Sequence, residues 1–213
     1  MNALPVFVEG LMISFGLIMA IGPQNAYVLR QGLRQRHVLA VTTVCFLSDI
    51  LLIGLGVFGV GKVIAENEAL STWMGWGGAV FLLWFAFKNA RSALKPEAIT
   101  QDDIDASAGD AAGRGVRIAI LHALAFTFLN PWVYVDTMVL IGGVSIKYET
   151  ETLRNAFLFG AWSASALWFY GLAYGAQKAA PLFRKKITWR ILDTIIAVIM
   201  LVVCYTLIQH QLS

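Results

Sequence analysis

Charged residues are scarce in this sequence. Asp, Glu, Lys and Arg make up 14% of its 213 residues, while 58% are hydrophobic; a soluble domain devotes about a quarter of its residues to charge. The mean hydropathy of +0.69 reflects the same imbalance. The scarcity is also uneven, with charges gathered in a few clusters between long apolar runs. That distribution excludes a soluble domain with a charged surface. A membrane helix needs about 20 consecutive, mostly apolar residues, and buried helices of soluble proteins have shorter runs. Six runs of that kind lie at 5–29, 38–61, 70–89, 118–143, 155–176 and 188–208, and no soluble domain is left once they are removed.

Other absences narrow the field. No Lys or Arg precedes Arg30. A cleavable signal peptide opens with a basic segment, so the first helix is expected to be retained. The two cysteines, Cys45 and Cys204, both fall inside apolar runs and read as packing residues. HExxH and GxSxG are absent, and with them the nucleophile or metal constellation of an intramembrane enzyme. The chain is therefore expected not to be an enzyme and to hold no cofactor. No His/Cys/Asp cluster suits a transition metal, so no metal site is expected either. The acidic loop around Asp102, Asp103, Asp105 and Asp110 invites a calcium reading. With Asp103 as the first position of an EF-hand, Ala108 stands where Gly is required and Arg114 where Glu is required, so the loop reads as a solvated linker. Gly54, Gly56 and Gly59 spell GxGxxG, but they continue a span-length helix, and no acid follows about 20 residues on. They read as close helix packing. Gly171 and Gly175 form a GxxxG with the same reading, and a homo-oligomer is one use for that face.

The basic residues explain themselves by topology. Thirteen of the sixteen Lys and Arg lie in the first, third and fifth connections; Lys62, Lys147 and Arg154 lie in the others. Cytoplasmic loops carry the excess of Lys and Arg, which places both termini outside. The pI near 9.0 therefore implies no nucleic-acid partner; the partner is the lipid bilayer. The polar break at 94–117 divides the helices three and three, and the two sets enter the membrane from opposite sides. The expected fold is an all-α polytopic membrane protein with six transmembrane helices as two inverted three-helix repeats. These are residues 1–93 and 118–213, joined by a cytoplasmic linker at 94–117 within one membrane domain. Such repeats are a common plan for transporters. Each repeat opens with a proline-broken helix, 1 and 4, around Pro23 in "IGPQNAYVL" and Pro131 in "LNPWVYVDT".

Of the thirteen acids, nine lie in loops. Asp193 stands three residues after Arg190, a spacing that permits an interfacial ion pair. Glu9 lies near the outer end of helix 1. Asp49 in helix 2 and Asp136 in helix 4 remain, with no Lys or Arg at similar depth in their runs. An ionised Asp at the bilayer centre costs about 2.5–3.5 kcal/mol on insertion scales, and such groups usually mark an ion or substrate path. Asp49 and Asp136 are thus the candidate substrate- or proton-binding residues. A mid-helix proline removes one N–H and displaces the carbonyl four residues back, so Pro23 should free Met19 and Pro131 should free Thr127. Backbone freed at membrane depth is tolerated where it is buried in protein or lines a cavity. Gly22, Pro23, Gln24, Asn25, Tyr27, Asn130, Pro131 and Tyr134 are accordingly the candidate pathway-lining residues. His122 lies two heptads before Asp136 and reads as a hydrogen-bonded residue near the cytoplasmic end.

"GPQNAYVLRQGLRQ", "SDILLIGLG", "WGGAVFLLWFAFKNA" and "LNPWVYVDTMVLIGG" closely resemble the lysine/arginine exporter family of bacteria, often called LysE, over essentially the whole chain. The pattern N-P-x-x-Y-x-D, here Asn130, Pro131, Tyr134 and Asp136, is the most telling. Family members that export neutral amino acids keep the Asn-Pro and lack this Asp. The resemblance implies a bacterial inner-membrane exporter of L-arginine or L-lysine. Trp132 departs from it, because relatives often have His there. The physics points to a cationic substrate as well: two acids without a basic partner in the membrane want a cation. Moving that cation out against an inside-negative potential takes about 2.3 kcal/mol per 100 mV, and a proton exchanged for it is the expected coupling ion. A neutral amino-acid exporter, a divalent-cation exporter and an intramembrane enzyme are the alternatives.

Overall fold

A computed structural model describes residues 2–20, 22–59, 68–94 and 114–212, and the elements among them are helical. They are α1 (Ala3–Ile18), α2 (Pro23–Leu33), α3 (Val38–Val57), α4 (Glu68–Leu94), α5 (Arg114–Phe128), α6 (Pro131–Ser145), α7 (Glu151–Ala179) and α8 (Lys186–Leu212). Most of the linker expected at 94–117, with its acidic cluster, lies outside the described residues. The segments Val38–Val57, Glu151–Leu182 and Lys186–Thr206 are long and apolar enough to cross a membrane. The count rises to five if α1 with α2, and α5 with α6, each form one broken span. The apolar run expected at 70–89 falls within α4, which has 27 residues.

Both prolines break their helices outright instead of kinking them, with bends of 83° between α1 and α2 and 65° between α5 and α6. Pro23 and Pro131 are each the first residue of the second segment. A proline there loses no helical hydrogen bond and has its φ already set. The expected orphan carbonyls of Met19 and Thr127 are accordingly not the groups these breaks serve. At the first break Asn25 Nδ2 donates to the carbonyls of Ile18 (2.8 Å) and Ala20 (2.7 Å). At the second, the Tyr134 hydroxyl donates to the Phe128 carbonyl at 3.0 Å. Each broken helix thus carries, just past its proline, a side chain that turns back to close the end of the segment before it. Within α6 the backbone widens into a π-helical stretch, Val135–Ile141, and Asp136 sits at its start.

The two halves of the chain exchange partners. α1 and α2 pack along α7, α3 packs against α5 and α6, and α4 pairs with α8. Two of these crossings are too close for any side chain. A Cβ on Gly160 would lie 2.0 Å from the Phe7 carbonyl oxygen, and one on Gly10 would lie 2.2 Å from that of Phe157. Where α3 meets α6, a Cβ on Gly142 would lie 2.6 Å from the Gly56 backbone, and one on Gly56 would lie 2.6 Å from the Met138 backbone. The close-packing reading therefore holds for Gly56, while a Cβ on Gly54 would make only ordinary contact at 3.7 Å and one on Gly59 would meet nothing within 4 Å. It does not hold for Gly171 and Gly175, which have nothing within 4 Å of a built Cβ. A direct comparison follows. Gly160→Ala should destabilise the bundle by about 1–3 kcal/mol, the usual range for overpacking, and Gly171→Ala should not. Thermal unfolding of the purified variants in detergent measures the difference, and equal melting temperatures would refute the assignment of the crossing.

Candidate functional site

The two helix breaks face one cavity of about 160 Å³. Its wall takes Leu17, Ile18, Ala20, Gly22, Pro23, Gln24 and Asn25 from the first break and Asn130, Trp132, Val133, Asp136 and Thr137 from the second. Asp49, Phe169 and Val203 complete it from α3, α7 and α8. Both carboxylates singled out in the sequence therefore reach the same space. Among the described wall residues there is no Lys, Arg or His.

Asp49 is 2% exposed, and its Oδ2 accepts a hydrogen bond from Ser165 Oγ at 2.8 Å. Ser165 is itself buried on α7. One neutral hydroxyl cannot balance a carboxylate, so the second oxygen still calls for a cation or a proton. Asp136 is half-buried. One turn N-terminal to it on α6, the Val133 carbonyl accepts from the Thr137 hydroxyl at 2.6 Å. Asn25 is held rigidly, because besides its two donated bonds its Oδ1 accepts from Trp168 Nε1 at 3.1 Å.

The two segment starts that meet the cavity differ. Asn130 caps α6, its Oδ1 accepting from the Trp132 amide at 3.2 Å. Gly22 precedes α2 with extended backbone and offers no side-chain cap.

Three of the expected pathway residues lie elsewhere. Tyr27 is 4% exposed within an aromatic cluster of Phe85, His122 and Phe126, donates to the Ala119 carbonyl at 3.2 Å and accepts from Gln31 at 2.8 Å. Tyr134 is spent on the Phe128 carbonyl, and Pro131 does not line the space. His122 belongs to the ring cluster rather than to the cavity. Sequence reasoning, for its part, missed Ser165, Thr137 and the apolar wall. A lone serine in a span-length helix carries no signal that separates it from a packing residue.

Polar ties close both ends of the bundle. Where α2 finishes, Arg30 donates to Asn89 Oδ1 and to Ser92 Oγ (3.4 Å), and it pairs with Asp193 at 3.3 Å. Ser92 in turn donates to Asp193 at 2.5 Å. The expected Asp193–Arg190 pair gives way to this network: Asp193 is 1% exposed and faces inward, and Arg190 donates to the Ala93 carbonyl instead. At the opposite end Glu9 accepts from Lys147 and from the Tyr148 hydroxyl. The bond to Glu9 holds the exposed Lys147 ammonium above the usual lysine range.

Residues 15–211 match the family model described as LysE type translocator. YggA of Aeromonas salmonicida, named as a candidate amino-acid transporter, is 37% identical over 193 residues, covering 91% of this chain and 90% of its own. The arginine exporter protein ArgO of Enterobacter sp. (strain 638) is 33% identical over 207 residues, covering 97% and 95%. ArgO of Serratia proteamaculans (strain 568) is 36% identical over 197 residues, covering 92% and 93%. No solved structure matches the chain. With the family match running over nearly its full length, the chain belongs to the LysE family and is a membrane translocator, not an enzyme.

Proposed function

We propose that this translocator exports basic L-amino acids, arginine with or without lysine, from the cytoplasm across the bacterial inner membrane. One observation carries the reading: two carboxylates, Asp49 and Asp136, line one cavity whose described wall holds no cationic side chain. A guanidinium or ammonium group supplies the missing charge, with hydrogen bonds that are stronger for being charge-assisted. The names of the ArgO relatives support the same substrate class.

The proposal extends to the frame around the site. Six spans form two inverted repeats, with α4 as the sixth span beside the three apolar helices and the two broken pairs. Partner exchange between the halves supports this, because each broken helix packs on the second helix of the other repeat and the third helices pair with each other. Both termini lie outside, on the strength of the Lys and Arg distribution. The cavity opens alternately to each side, with the Arg30–Asp193 tie on the cytoplasmic side and the Glu9–Lys147 tie on the outer side. Export ends when a proton replaces the cation on a carboxylate, so that one positive charge returns for each that leaves.

Inverted membrane vesicles test the reading, since export becomes uptake in them. Labelled arginine should accumulate when the vesicle interior is acidic, and collapsing the proton gradient should abolish accumulation above equilibrium. Uptake indifferent to the gradient would refute the exchange, and uptake of neutral but not basic amino acids would refute the substrate. In the same preparation a cysteine replacing Ser107 should label from the medium, and in intact cells it should not.

A further inference from the structure

Lys88 stands beside the Arg30–Asp193 network without joining it. Among the described residues it has no carboxylate partner, and the charges within its electrostatic reach, Arg30 and Arg34, carry its own sign. Asp193 is already taken by Arg30 and Ser92. A lysine near the end of a membrane helix usually extends toward the headgroups. Lys88 is exposed, yet its ammonium lies back over the rings of Trp84 and Phe85, at 5.2 and 5.8 Å. The His122 ring of α5 closes the group, 5.9 Å from Trp84 and 5.8 Å from Phe85. A positive charge without a counter-ion therefore rests on aromatic rings at the seam between α4 and α5. The seam is graded along its length. Arg91, one turn past Lys88 on the same face of α4, and Arg117, near the start of α5, are exposed at the end of the bundle. Further into the span lie Val80, Leu83 and Leu121, each more than half exposed. Charge, then rings, then aliphatic surface is the order of a phospholipid's own parts, and aromatic residues favour the interfacial level between headgroup and chains.

We infer that the seam between α4 and α5 binds one anionic phospholipid of the cytoplasmic leaflet, its phosphate on Lys88 and its acyl chains along Val80, Leu83 and Leu121. Basic residues set between membrane helices on that side are suited to anionic headgroups. A zwitterionic lipid fits poorly, because its own cation would face Lys88, Arg30 and Arg34. A soluble anion lacks the chains that cover the aliphatic part of the seam. The site lies apart from the cavity. Only the naming of the leaflet, and not the site itself, rests on the membrane orientation proposed above.

Melting of the purified protein in detergent, with phosphatidylglycerol or phosphatidylcholine titrated into the micelles, tests the site. A ligand that binds only the folded state raises the melting temperature. Phosphatidylglycerol should raise it saturably and phosphatidylcholine should not. Native mass spectrometry should show one phosphatidylglycerol retained after the others are stripped. Lys88→Gln should weaken that lipid by about tenfold or more, the scale of a hydrogen bond to a charged group. Lys88→Arg should keep it, since a guanidinium stacks on rings and pairs with phosphate. Lys178→Gln removes an equal charge from α7 and should also keep it. An equal effect of phosphatidylcholine, or of inorganic phosphate without lipid, would overturn the inference. Equal losses in Lys88→Gln and Lys178→Gln would overturn it too, because they would show diffuse attraction to the whole basic end and no site. No amino acid enters these measurements, so their outcome stands apart from the transport reading.

Discussion

Asparagine in place of Asp49 should lower arginine affinity by about tenfold to more than a hundredfold, the equivalent of about 1.5–3 kcal/mol for a hydrogen bond to a charged group. The substitution keeps size and hydrogen-bonding capacity, and Ser165 can still donate to the side-chain oxygen, so the amount of protein in the membrane should hold. Asp136→Asn should act in the same direction. The double variant should lose less than the sum of the two if both carboxylates hold one cation. Transport in inverted vesicles, measured across substrate concentration and pH, reads all three. Wild-type rates in both single variants would remove the central site, and Asp49 would then be a buried group that only ties α3 to α7 through Ser165.

Arg30→Met should act on the fold rather than on the substrate. Removing one partner of a buried ion pair costs about 3–5 kcal/mol, because the other charge is left without compensation. Asp193, at 1% exposure, has little access to water to relieve that charge. The melting temperature and the yield of inserted protein should both fall. Combining Arg30→Met with Asp193→Leu should recover much of the loss, since an apolar pair in place of a buried ion pair is often neutral or better. The protein that survives should bind arginine with nearly unchanged affinity. A melting temperature unaffected by Arg30→Met would show the network to be dispensable, and a collapse of arginine affinity at normal stability would place Arg30 in the substrate path.

Asp193 also marks the limit of what the sequence discloses. Its nearest opposite charge along the chain is Arg190, one helical turn away, and a local pairing rule selects it. The partner in the fold is Arg30, which comes close because α2 crosses the α4–α8 pair, and nothing in the residues near Asp193 records that crossing. Asp49 and Asp136 are legible for the opposite reason: a carboxylate in a long apolar run is anomalous wherever it ends up. The breaks at Pro23 and Pro131 are legible as breaks. Their geometry is not, because the difference between a kinked helix and two helices meeting at 83° is settled by Asn25 reaching back and by Trp168 holding it. Tyr27 and Tyr134 follow their prolines by four and three residues, yet one packs among rings and the other closes a helix end. Spacing places a residue near a break without fixing which side of the helix it occupies. The apolar wall of Phe169, Val203 and Leu17 has no signature at all in a chain where apolar residues are the rule.

The exchange of partners between the halves reaches back to the moment of synthesis. Trp168 follows Asn25 by 143 residues, and Ser165 follows Asp49 by 116. When the first three helices leave the ribosome, the surfaces they are shaped for do not yet exist. Gly10 has no Phe157 to close on, Asn25 has no indole to steady it, and Asp49 has no hydroxyl. The early half must therefore wait in the bilayer as loosely associated segments, its carboxylate exposed to whatever proton or water it can find, until α7 arrives between them. Assembly is therefore a late event: α3 meets α5 and α6 first, α1 and α2 close on α7 after that, and α4 has its partner only once α8 is made.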